Sequence, residues 1–293
     1  GDFGMIMGFP GSTERYMTSH GIDYMLEVDN PQRIFIRGER QQILRKHMDA
    51  DQAIRIQYDS KYAQSANYWK NSIGMSRGIE KLDVKAKKQA QEQAYQAWAI
   101  ANTLPEERFI DALPLIEQSQ VEARKENATL QYLSEAFFQS VELVQPMFGM
   151  HNPELFYKDY DEATDRDVAK RMFTIYRENN KHLPSIYEKI DRDFGGNSDA
   201  YVDWLYDNSQ LASYEKHQAV AALDAEAREA AFKNDPVYEL ALSLFELYNE
   251  FVPAVTAANE KYAEGHRLYI KGLMRMQPDK AWASDANFTI RLT

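Results

Sequence analysis

Residues 61–74 read KYAQSANYWKNSIG, and their spacing predicts a helix. Tyr58, Tyr62 and Trp69 recur at four- and seven-residue offsets, which at about 100° per residue stacks three bulky aromatics along one side. The opposite side carries Asn67, with Ala63 one turn before it, Asn71 one turn after it and Gly74 two turns after it. A polar amide thus stands on a surface stripped of bulk, where another backbone can come close. An asparagine amide offers an acceptor oxygen and two donors, which suits a peptide terminus or a main-chain segment. It equally suits a cap on a local break or an interhelical hydrogen bond, and spacing leaves both readings open.

Outward from this stretch the helical character continues. The chain has 293 residues, 44% of them hydrophobic and 12% aromatic, enough for one large core or two modest ones. With only 13 glycines and 10 prolines against abundant Ala, Glu, Lys, Gln and Leu, local propensity points to helix almost throughout. Any β structure is confined to small pieces. A formal charge of -11 and a pI near 5.1 argue against a nucleic-acid partner, because phosphate binding needs a basic face. Basic residues nevertheless predominate from Arg33 to Lys88, Arg37, Arg40 and Arg45 among them, while 154–203 is acidic. Both runs read as solvated helix faces. Without cysteine the chain offers no disulfide, thiolate metal site or cysteine nucleophile. No run of 18 apolar residues and no charged-then-apolar start occur, so neither a membrane span nor a signal peptide is expected.

Punctuation then divides the chain. Gly1 to Phe9 reads as a buried strand closed by the Pro10-Gly11 turn. Asp29-Asn30-Pro31 places a capping side chain before a first-turn proline and predicts a helix to about Met48. The next helix is expected to start at Asp51 and end at Gly74 or Gly78. Further helices are expected from Ile79 to about Asn102 and from Pro105 to Val144, with an interruption at Asn127, followed by a loop over 145–161. Thr164 is placed to cap a helix through Glu178, and Pro184 starts one that stops at Gly195-Gly196. Short helices over 198–206, 213–223 and 224–233 precede a long periodic run from Pro236 to Met276, which Pro253 should bend. NFTIRLT, 287–293, alternates as a strand does. A strand at each end with helices between is the arrangement of a helical insertion in a β domain, and it should bring Met5–Met7 near Thr289–Arg291.

Side chains with catalytic chemistry are scattered. The six histidines form no metal-ligand pattern, and core or surface roles account for them better. Gly195-Gly196-Asn197-Ser198 is how several serine-peptidase nucleophile loops begin. Here it lies between two helices, where Gly ends one and Ser caps the next, so Ser198 is read as structural. Asp191 and Asp193 fall on different sides of a helix and make no acid/base pair.

Four phrases taken together, GFPGSTERYMTS at 8–19, NPQRIFIRGERQ at 30–41, YAQSANYWKNSIGM at 62–75 and DANFTIRLT at 285–293, resemble in order and spacing the dipeptidyl-peptidase 7 and 11 family of bacterial serine exopeptidases. The acidic middle matches mainly in helical character. The resemblance implies a mainly α chain: a large helical domain inserted in a chymotrypsin-like double β-barrel, of which only short flanking strands are present. It divides the sequence into a flanking β segment at 1–24, a helical cap at 25–283 and a flanking strand at 284–293. Family members remove dipeptides from free peptide N-termini, need no metal or organic cofactor, commonly form homodimers and work in the periplasm or at the surface of Gram-negative bacteria.

The same resemblance implies that the catalytic triad lies outside this chain and that the fragment alone is inactive. Asp2 is not assigned to the triad, since the residues after it match a later strand. Asn67, within ANYWKN, matches the family asparagine that helps hold the substrate α-amino group. The physics agrees, because an exopeptidase must fix a charged amine at a set distance from its nucleophile. The competing expectation is a self-contained, non-enzymatic helical binding or scaffold protein, supported by the lack of a catalytic set within these residues.

Overall fold

A computed structural model describes residues 11–148 and 152–286, and regular structure among them is helical. The strands expected over 1–9 and 287–293, and hence the approach of Met5–Met7 to Thr289–Arg291, lie outside the described residues. The helices are α1 (Ser19–Tyr24), α2 (Asn30–Ala50), α3 (Gln52–Lys81), α4 (Val84–Asn102), α5 (Ala112–Glu122) and α6 (Arg124–Leu133), then α7 (Pro153–Tyr157), α8 (Glu162–Asn179), α9 (Ile186–Phe194), α10 (Ser198–Asn208), α11 (Tyr214–Ala221), α12 (Ala225–Lys233) and α13 (Pro236–Met276).

The chain separates into two compact units, one of 1–24, 79–122 and 258–293, the other of 25–78 and 123–257. Residues 19–24 are helical, and residues within 25–283 contribute to both units.

In the first unit α4, α5 and the end of α13 enclose Tyr95, Phe109, Ile116, Tyr269 and Leu273. Two glycines of α13 permit this approach. A Cβ at Gly265 would meet the Ala112 carbonyl at 2.8 Å, and one at Gly272 would meet the Tyr95 ring at 2.6 Å. The Tyr95 hydroxyl donates to the carbonyl of Phe109 at 3.1 Å, so the ring is pinned at both ends. Buried Glu92 receives the Ser19 backbone N–H at 2.6 Å and the Ser19 hydroxyl at 2.5 Å, which places a carboxylate at the positive end of α1.

The second unit holds the larger core. Ile36, Leu44 and Met48 of α2, Val168, Met172 and Phe173 of α8, Tyr201 and Leu205 of α10 and Leu240 and Leu244 of α13 pack around Phe137 and Tyr176. Phe137 meets Phe173 edge-on with ring centres 5.0 Å apart, a favoured aromatic geometry. Tyr187 is fully buried, and its hydroxyl donates to the Phe173 carbonyl at 2.8 Å, which satisfies the one polar atom it brings into the core.

Several ends differ from expectation for identifiable reasons. Asp29 does not cap α2. It is itself helical, closing a π-helical turn over Met25–Asp29 that joins α1 to α2. A widened turn just before Pro31 suits a residue that has no N–H to donate. Gly74 and Gly78 do not end α3, which runs on to Lys81; Asp83, in a left-handed conformation, follows. The break expected at Asn127 falls at Ala123. Asp161, three residues ahead of Thr164, caps α8 by accepting the Thr164 N–H at 2.8 Å. The helices expected from 213 and 224 begin there, capped by the side chains of Ser213 and Asp224, and the stop expected at Gly195 is a left-handed residue. Pro253 lies inside α13 without ending it.

Candidate functional site

The two sides of α3 are as different as their residues suggest. Tyr58 is fully buried and its hydroxyl faces the Asp161 carbonyl at 3.3 Å. Trp69 donates its indole N–H to the Ile34 carbonyl of α2 at 3.0 Å, fixing the aromatic side against that helix. On the other side Asn67, Ala63, Asn71 and Gly74 are all exposed. A Cβ built on Gly74 would find nothing within 4 Å. No bond to the Asn67 side chain forms among the described residues, so its amide neither caps a break nor ties α3 to another helix. A 30-residue helix therefore presents two exposed amides one turn apart, Asn67 and Asn71, on an open strip, and neither is bonded among the described residues.

Beside this strip, on the face of α3 carrying Lys61, Gln64, Ser65 and Tyr68, lies a cleft of about 490 Å³. Its opposite walls are Arg33, Arg37 and Arg40 of α2 and residues of the 134–145 segment. Asn67 is not among the lining residues. The three arginines recur at i, i+4 and i+7, in register with buried Leu44, so this face of α2 turns inward. The reading of this basic run as a solvated face is thus corrected for these residues.

Two buried carboxylates answer them. Glu135 accepts from Arg37 through Nε at 2.7 Å and Nη2 at 3.1 Å, a forked pair, and from Arg33 Nε at 3.3 Å. Glu142 pairs with Lys61, whose ammonium also reaches the Asp159 carbonyl. Below the cleft Asp165 braces the backbone that carries Glu142, accepting the N–H groups of Glu142 at 2.7 Å and Leu143 at 2.9 Å and the Tyr206 hydroxyl at 2.7 Å. Complete burial, and then the charge of Glu142, push the Asp165 carboxyl up to about 7. Arg37 lies over the Tyr68 ring, 4.9 Å from its centre.

The other residues weighed for chemistry are structural. Ser198 is buried as the first residue of α10, and Asn197 rather than Ser198 provides the cap. Asp191 pairs with Arg177 at 2.6 Å, while Asp193 pairs with Arg192 and Lys189. His47 contacts Asp167 at 2.9 Å, and His217 sits fully buried between the rings of Tyr157 and Phe232. Among the described residues no group of three or more His, Asp or Glu could hold a metal ion, and no helix is long and apolar enough to cross a membrane.

Comparison with known proteins decides the family. The peptidase S46 family matches residues 1–152 and 148–293. The chain belongs to the peptidase S46 family. This S46 chain is 38% identical to the dipeptidyl-peptidase 7 of Porphyromonas gingivalis over 310 residues, which cover 100% of the chain and 43% of that relative. It is 28% identical over 318 residues to the Asp/Glu-specific dipeptidyl-peptidase of the same organism, covering 44% of it. Its fold superimposes on the crystal structure of Porphyromonas endodontalis DPP11 in complex with the dipeptide Arg-Glu with a TM-score of 0.81 at 25% identity, covering 96% of the chain and 43% of that structure. The complex of the same protein with Arg-Asp gives 0.83 at 26%. The S46 chain thus spans less than half the length of the relatives it matches, and the resemblance read from its four phrases is borne out.

Proposed function

We propose that this chain is the helical cap of a serine-type dipeptidyl peptidase, inserted in a catalytic double barrel, and that α3 supplies Asn67 to anchor the substrate's α-amino group. The observation that carries this reading is the free, exposed amide of Asn67 on a strip without bulk, within the ANYWKN phrase. An ammonium arriving along that strip can donate to Oδ1 without displacing an existing partner. Because the aromatic side of α3 is fixed by Tyr58 and Trp69, the amide is held at a set place. That is what counting two residues from an N-terminus requires. Both named relatives are dipeptidyl-peptidases, and the matched structures carry bound dipeptides.

On this reading the catalytic triad is supplied by other parts of the parent and the chain alone is inactive. The parent acts on peptides with a free N-terminus, as a homodimer at the periplasm or cell surface, and the cap excludes longer N-terminal extensions. The test compares the full-length protein with the isolated chain on one peptide, with its amine free and acetylated. The full-length protein should release the N-terminal dipeptide only from the free-amine form, and the isolated chain should release none. Cleavage of the acetylated peptide at a comparable rate contradicts the proposal.

A further inference from the structure

We infer that the cleft between α2, α3 and the 134–145 segment is a binding subsite for a peptide-sized carboxylate ligand, with the Arg40 guanidinium as its seat. Four cations, Arg33, Arg37, Arg40 and Lys61, line this cleft against two carboxylates, Glu135 and Glu142. Three of the cations are already engaged. Arg37 forks onto Glu135, Arg33 contacts the same carboxylate, and Lys61 is held by Glu142 and the Asp159 carbonyl.

Arg40 is the exception. It is only 8% exposed, yet it makes no hydrogen bond among the described residues. Its Nε is buried without a partner, and its nearest carboxylate oxygen, on Glu142, stands 3.9 Å from Nη2. That distance is an ion pair but too long for a hydrogen bond. Buried donors are ordinarily satisfied; Nε is sealed from the cleft, so Arg40, which lines it, can offer a ligand its terminal nitrogens.

The geometry of the guanidinium selects the ligand. A guanidinium presents a planar fork that matches a carboxylate in bidentate fashion. The formal excess of two positive charges over the lining carboxylates favours an anion. Around the fork, Gln64, Gln139 and Gln145 offer amide donors and acceptors, and Tyr68, 51% exposed, offers an open ring edge. About 490 Å³ lies within the range of small-ligand sites and suits an amino-acid or dipeptide unit.

Calorimetric titration of the full-length protein tests this with three probes: N-acetyl-glutamate amide, its neutral isostere N-acetyl-glutamine amide, and inorganic phosphate. The blocked amine of the first two removes any contribution from Asn67. The glutamate probe should bind at least tenfold more tightly than the glutamine probe and than phosphate. Arg40→Lys, which keeps the charge but loses the fork, should weaken the glutamate probe at least tenfold. Gln64→Glu, at an exposed rim position whose change leaves the core untouched, should weaken it similarly by adding a like charge. Equal binding of the glutamate and glutamine probes, tighter binding of phosphate, no binding of the glutamate probe, or glutamate affinity unchanged in Gln64→Glu would each overturn the inference.

Discussion

Thr13 donates its hydroxyl to Asp285 at 2.7 Å across 272 positions of sequence. Asp285 also accepts the Arg15 N–H at 2.7 Å, and the Thr13 and Ala286 backbones bond at 3.2 Å. The two ends of the described chain therefore meet. Asp285→Ala removes the acceptor of Arg15 at an exposed site. Amide exchange at Arg15 should accelerate about tenfold or more, because a hydrogen bond to a charged acceptor contributes about 1.5–3 kcal/mol. Unchanged protection of Arg15 counts against the joint.

Gly272 and Gly74 make opposite predictions for the same substitution. At Gly272 a methyl would meet the Tyr95 ring at 2.6 Å and its hydroxyl more closely still, so Gly272→Ala should lose about 1–3 kcal/mol of stability despite the better helix propensity of alanine. At Gly74 there is open space, and Gly74→Ala should gain about 0.5–1 kcal/mol. Chemical denaturation of both variants checks the pair; a stabilised Gly272→Ala would refute the close packing of Tyr95 on α13.

Asp165 predicts a pH dependence. An unfolded aspartate titrates near 3.9, whereas burial and the neighbouring Glu142 raise the folded group to about 7. Between roughly pH 4 and 7 the folded state holds the extra proton, so the contribution of Asp165 to stability falls as pH rises through that window. Asp165→Asn removes this titration. The stability of the unsubstituted protein minus that of Asp165→Asn should therefore shrink from pH 4 to pH 7, by up to about 1.4 kcal/mol for each pH unit. A difference that grows with pH contradicts the assignment.

Much of this was legible before any coordinates, and the exceptions have physical causes. Helices were readable wherever a local signal suffices, as at Ser213, Asp224 and Gly195, whose caps involve only neighbouring residues. Gly74 and Gly78 misled because a glycine weakens a helix by an amount that packing of buried Ser72 and Ile79 overrides. Asn67 was legible as the centre of a bare strip because its surroundings are set by one helix alone. The Arg33, Arg37 and Arg40 stripe carried a signal in its register with Leu44, but burial of Arg40 depends on Glu142, about a hundred residues away, which no local pattern reports.

The central claim is that Asn67 holds the substrate's leading amine, and its most direct test is the kcat/KM of the full-length enzyme and its Asn67→Ala variant on a dipeptidyl substrate with a free N-terminus. Asn67 is exposed and contributes nothing to packing, so the variant should melt with the unsubstituted enzyme. Its KM should rise and its kcat/KM fall by about 10- to 100-fold, the equivalent of about 1–3 kcal/mol for an ammonium deprived of one partner. A folded variant with unchanged kcat/KM contradicts the account.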